Sequence, residues 1–71
     1  STVTKFDMRD GENLPARGDA PAFPALLVVD GAGEVIGPDG PERLTAGSSR
    51  LLRQSAPISF RGRLSVLVVD F

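Results

Sequence analysis

The sequence predicts an all-β domain, a small sandwich or barrel of about seven short strands. Three observations carry this. The apolar run Leu26-Leu27-Val28-Val29-Asp30 returns near the C-terminus as Val66-Leu67-Val68-Val69-Asp70. Turn signals punctuate the chain at Asp10-Gly11, Asp30-Gly31, Asp39-Gly40 and Arg61-Gly62. No segment carries the apolar spacing of a sustained helix.

In the opening segment, Thr2 to Met8, Phe6 and Met8 fall on one side and Lys5 and Asp7 on the other, the alternation of a half-buried strand. Gly11, Pro15, Gly18, Pro21 and Pro24 make Asp10 to Pro24 a loop, with a short extended piece expected around Asn13 to Ala16. Ala25 to Asp30 is the strongest strand signal. Its apolar side chains are consecutive rather than alternating, so both of its faces are expected to be covered. Asp30-Gly31-Ala32-Gly33 reads as a tight connection to a partner strand at Glu34 to Ile36.

Pro38-Asp39-Gly40-Pro41 is a turn, Pro fixing φ and Gly supplying the positive φ, and Glu42 to Leu44 follows as a short strand. Ser48 to Ser55 is open to two readings. Ser48 or Ser49 would cap a turn of helix holding Leu51 and Leu52, but Pro57 limits its length, and a strand at Arg50 to Leu52 is the preferred assignment. Ile58 and Phe60 alternate with Ser59 and Arg61 in another half-buried strand, and Leu64 to Asp70 closes the sheet. The residues flanking the two similar apolar runs do not match. They read as two central strands of like composition rather than as a repeat.

The chain has 71 residues, which is one domain, 1–71, with a thin core. It has no Cys and no His, so neither a disulfide nor an ordinary zinc site is expected to reinforce that core. Small domains without such supports lean on a partner surface, either a second copy or the remainder of a larger chain. Ser1 in first place is what a processed or excised chain would show. Eight basic and nine acidic residues leave a net charge of −1, and the basic residues are scattered. That argues against a nucleic-acid partner. No apolar run approaches a membrane span or a signal-peptide core, and the expectation is a cytoplasmic protein. Seven Arg against one Lys, with much Ala, Gly and Pro, fits a bacterial genome rich in GC.

The motifs that could carry chemistry each have a plainer reading. Gly31-Ala32-Gly33-Glu34-Val35-Ile36-Gly37 approaches a dinucleotide fingerprint, but its third Gly is one residue late and Pro38 to Pro41 forbid the helix whose N-terminus would meet a pyrophosphate. A hairpin turn is expected there instead. Arg17-Gly18-Asp19 spells an integrin-recognised tripeptide in an accessible loop, a match short enough to arise by chance. The carboxylate pairs Asp7/Asp10 and Asp39/Glu42 lie near turns, where Asp bonds to local backbone. Ser48, Ser49, Ser55, Ser59 and Ser65 have no His to activate them. Arg50, Arg53, Arg61 and Arg63 read as a solvated surface more than an anion site. No catalytic, cofactor-binding or metal-binding residue is assigned, and no ligand is specified.

From Val3 to Phe71 the order of elements resembles the C-terminal, cupin-like domain of type I mannose-6-phosphate isomerases. Ala25 to Gly33 (ALLVVDGAG) matches the apolar strand and its G-x-G element, and Leu44-Thr45-Ala46-Gly47-Ser48 the following turn. Leu51-Leu52-Arg53-Gln54-Ser55-Ala56 stands in the proline-containing element, with Arg53 where that family often has Pro. Ile58-Ser59-Phe60-Arg61-Gly62 matches the strand end, and Leu64 to Phe71 the last strand.

The resemblance implies a half jelly roll without catalysis of its own. The wider cupin superfamily holds a metal with His residues that are absent here, and Glu34 falls in the expected hairpin rather than at a ligand position. Zinc, and the interconversion of mannose 6-phosphate and fructose 6-phosphate, would belong to a parent catalytic part. A stand-alone, metal-free mini-cupin that homodimerises around a small ligand is the alternative.

Overall fold

The computed structural model describes residues 1–15, 23–52 and 58–71. Among them there is no helix, and five strands form one antiparallel sheet: β1 (Thr2–Met8), β2 (Ala25–Gly37), β3 (Gly40–Thr45), β4 (Ser49–Leu51) and β5 (Ser59–Asp70). The all-β class is as expected. The strand count differs because two expected pairs of short strands are each one long strand. Ala25 to Asp30 runs on into Glu34 to Ile36 as β2, and the strand expected from Ile58 begins at Ser59 and runs on into Leu64 to Asp70 as β5.

The sheet has four columns. β5 and β2 are central, β1 lies beyond β5, and β3 and β4 share the outer side of β2. The two similar apolar runs are therefore neighbours, Leu26 opposite Val68 and Val28 opposite Val66. Beyond β1 the first column continues in the same register. Asn13 bridges Ser59, where the extended piece was expected, and Phe60 exchanges backbone bonds with Gly11 and Glu12. β3 and β4 likewise form one interrupted strand, joined by a turn at Ala46–Ser48 whose backbone bonds to Val28 and Gly31.

No hairpin forms at Asp30–Gly33. The chain continues because Gly31, Ala32 and Gly33 lie opposite Leu64, Arg63 and Gly62. Val29 is instead an extra residue in β2, and the register shifts there against both flanking columns. This bulge reverses which side of β2 faces inward. Leu26 and Val28 are buried before it, Gly33 and Val35 after it.

Glycines with positive φ lie near this level in every column: Gly11, Gly62, Gly31 and Gly47. They let the sheet fold over on itself. Straight, the 13 residues of β2 would span about 40 Å, yet the molecule's longest dimension is 29 Å. Inside the bend sit Met8, Leu26, Val28, Val35, Leu44, Leu52, Ile58, Phe60, Leu64, Val66 and Val68, with Phe6 and Leu14 packed at the margin. Each large side chain so buried contributes on the order of 1.5–3 kcal/mol. The β2–β3 connection is the expected turn, a two-residue loop of Pro38 and Asp39 followed by Gly40 at φ 95.

Candidate functional site

Strand alternation sends the odd-numbered residues of β1, β4, β5 and the first half of β2 to the outside of the bend. The cross-strand register lines them up in rows. Val3 faces Val69, Val69 faces Ala25, and Ala25 faces Leu51. In the next row Lys5, Leu67, Leu27 and Ser49 follow in the same order. Phe23 and Phe71 lie just outside the strands, each two residues along the chain from the facing pair Ala25 and Val69.

This outer face is apolar and open. Val3 is 59% exposed, Phe23 61%, Leu51 73% and Phe71 74%, while Leu27, Leu67 and Val69 are half-buried. Val29, pushed out by the bulge, is the fifth exposed large hydrophobic residue of the described chain, and all five belong to this odd-numbered series. The expectation that both faces of Ala25–Asp30 are covered thus holds on the inner side only. Solvated sheet faces ordinarily alternate to polar residues; this one keeps Val, Leu and Phe.

Past the bend the outer surface changes character. Glu34 lies between Arg43 on β3 and Arg61 on β5, with Arg61 Nη1 3.8 Å from Glu34 Oε1. Arg63 is exposed on the next row. Arg50, grouped with Arg61 and Arg63 by sequence, is elsewhere. Its Nε donates to Glu42 Oε2 at 2.7 Å and its Nη1 to the Ser49 carbonyl at 2.6 Å. Chiefly through that hydrogen bond, Arg50 holds the Glu42 carboxyl below its ordinary value; desolvation opposes this, and the Arg50 charge adds to it. Arg53 and Arg17-Gly18-Asp19 lie outside the described residues.

The Arg50–Glu42 pair stands on a cleft of about 160 Å³ lined also by Val35, Gly37, Leu52 and Ile58. Small-molecule sites usually offer about 300–1,000 Å³. The cleft is too small for such a ligand and has an ion pair across its wall.

Three of the four candidate carboxylates are engaged by neighbouring groups of the sheet. Asp7 Oδ1 accepts the Ser65 hydroxyl at 2.7 Å, and Asp10 Oδ1 accepts the Gly62 N–H at 3.1 Å. Asp39 is in the β2–β3 turn, and Glu42 is paired with Arg50. Ser48 Oγ accepts the Thr45 N–H at 3.1 Å, Ser49 and Ser59 lie in strands, and Ser55 is outside the described residues. No described polar or charged side chain is buried. No group of three or more described His, Cys, Asp or Glu residues is placed to hold a metal ion. No described helix is long and apolar enough to cross a membrane. Sequence reasoning passed over the outward placement of Val3, Phe23, Leu51 and Phe71; its signal was the unbroken apolar runs Leu26–Val29 and Val66–Val69, beside which these residues come to lie.

No family model matches the chain, and no curated protein matches it. Among solved structures, the conserved SPY1581 protein of unknown function from Streptococcus pyogenes is similar, with a TM-score of 0.63 and 16% identity. The likeness covers 97% of this chain and 63% of that one, so this chain spans less than two thirds of its neighbour's length. At that identity the likeness concerns the fold alone.

Proposed function

We propose that this chain is a non-catalytic, cupin-like β-domain that uses its outer apolar face to pack on a larger partner. The observation that supports the reading is the placement of Val3, Phe23, Val29, Leu51 and Phe71 on one face of a sheet whose other face already holds the core. Covering a large apolar side chain contributes on the order of 1.5–3 kcal/mol, so a few of these residues suffice for docking. A standard interface takes about 800 Å² from each partner, under a fifth of the 4506 Å² this chain exposes.

The resemblance to the terminal domain of type I mannose-6-phosphate isomerases gives the partner its chemistry. It would be a zinc-dependent aldose–ketose isomerase part acting on mannose 6-phosphate in a bacterial cytoplasm. In that setting the domain's work is mechanical. It covers an apolar surface of the catalytic part and holds no zinc or substrate itself. A stand-alone mini-cupin that homodimerises around a small ligand is the alternative.

The test is a titration of this chain into the catalytic part of a type I mannose-6-phosphate isomerase stripped of its own terminal domain, followed by calorimetry. The reading expects saturable binding that Leu51→Asp weakens at least tenfold. No binding, or binding indifferent to Leu51, would refute it.

A further inference from the structure

The sheet has two free edges among the described residues, and they are unlike. The β3–β4 edge is blunted: Pro41 has no N–H to offer, the Ala46–Ser48 turn interrupts the column, and β4 is three residues long. The β1 edge has none of these devices. Thr2–Met8 is seven residues without Pro, Gly or bulge, its inner side paired residue by residue with Leu64–Asp70 and its outer side unpaired by any described strand. Such an edge is a template for another strand.

We propose that the β1 edge pairs with the β1 edge of a second copy of this chain, antiparallel, about a two-fold axis at Phe6. Charge selects the occupant and the register. Residues directly opposite in an antiparallel pair share a face, so a symmetric pairing of β1 with itself must centre on one residue. Centred on Lys5 it sets two ammonium groups against each other, and centred on Asp7 two carboxylates. Centred on Thr4 it sets Lys5 against Val3. Centred on Phe6 it sets Lys5 of each copy opposite Asp7 of the other, on the outer face, and the half-buried Phe6 rings opposite one another on the inner face.

The groups are placed for it. Asp7 is held on its strand by the Ser65 hydroxyl, and its contact with Lys5 within the chain is a loose 3.9 Å between side chains 60% and 74% exposed. Such an exposed pair is worth little by itself and is free to exchange partners. The axis runs perpendicular to the sheet, so both outer apolar faces would look the same way. The inference is independent of the proposed docking face, since edge and face are different surfaces.

Sedimentation of the full chain over a concentration series tests it. The expected result is a monomer–dimer equilibrium that Lys5→Asp and Asp7→Lys each weaken about tenfold or more, because each turns two attractive cross-strand pairs into repulsive ones. An equimolar mixture of the two variants is expected to recover the dimer, since every pair across the junction is again opposite in sign. A monomer at all concentrations, a dimer indifferent to Lys5→Asp, or a mixture that fails to recover would each overturn the proposal. A dimer lost in Leu51→Asp and kept in Lys5→Asp would also overturn it, by placing the contact on the face. Should Asp7→Lys not fold for want of the Ser65 bond, Lys5→Glu against Lys5→Gln decides. Repulsion requires the Glu variant to be the weaker dimer, and equal effects overturn the register.

Discussion

Gly33 and Gly62 face one another across β2 and β5, and the backbone passes too close there for a side chain at either position. A Cβ on Gly33 would overlap the Arg61 carbonyl oxygen, and one on Gly62 would lie 3.0 Å from the Ala32 carbonyl while forcing φ 81 on an L-residue. Gly33→Ala is therefore expected to cost roughly 2 kcal/mol or more by overpacking against backbone. Gly11, like Gly62 but unlike Gly33, has a positive φ, yet a Cβ there meets open space, and Gly11→Ala is expected to cost only about 1–2 kcal/mol. Urea unfolding of both variants checks the order.

Phe60 and Val29 sit on opposite sides of the sheet and should respond accordingly. Phe60 is 1% exposed and among the largest side chains fully inside the bend. Phe60→Ala is expected to cost about 3–5 kcal/mol, enough to unfold a domain whose whole stability is on the order of 5 kcal/mol. Val29→Ala, on the exposed bulge, is expected to change stability by less than about 0.5 kcal/mol. Circular dichroism melts of the pair distinguish them.

The Glu42–Arg50 pair predicts a pH signature with a definite sign. Glu42 titrates below the ordinary carboxylate range when folded. Its contribution is thus present above the unfolded value and fades as pH falls through the folded one. Arg50→Ala is expected to move the Glu42 titration upward, read by carbon-detected NMR. Added salt should shrink the difference, because both groups are exposed.

On the outer face, Leu51→Asp is expected to leave the fold intact, since Leu51 is 73% exposed. It should also lower the fluorescence of a bound hydrophobic dye. A melting temperature that drops sharply would show that Leu51 supports the fold rather than an interface.

The strands themselves were legible because their signals are local: Phe6 and Met8 alternate with Lys5 and Asp7, and Pro38-Asp39-Gly40 carries its own turn chemistry. What was not legible is what a glycine does inside a strand. Asp30-Gly31-Ala32-Gly33 and Arg61-Gly62 look like chain reversals, and a reversal and a bend use the same positive φ. Only the pairing of Gly33 with Gly62, a relation between distant residues, separates the two. The outer face was half legible. The unbroken apolar run at Leu26–Val29 announced that both sides of the strand want cover, without telling which side the rest of the chain would supply.

The measurement that bears most directly on the account is an NMR shift map of this chain on adding the catalytic part of a type I mannose-6-phosphate isomerase that lacks its terminal domain. The account predicts saturable shifts centred on Val3, Leu27, Leu51, Leu67, Val69 and Phe71. Shifts centred instead on Val35, Glu42, Arg50 and Ile58 around the cleft, or none at all, would contradict it.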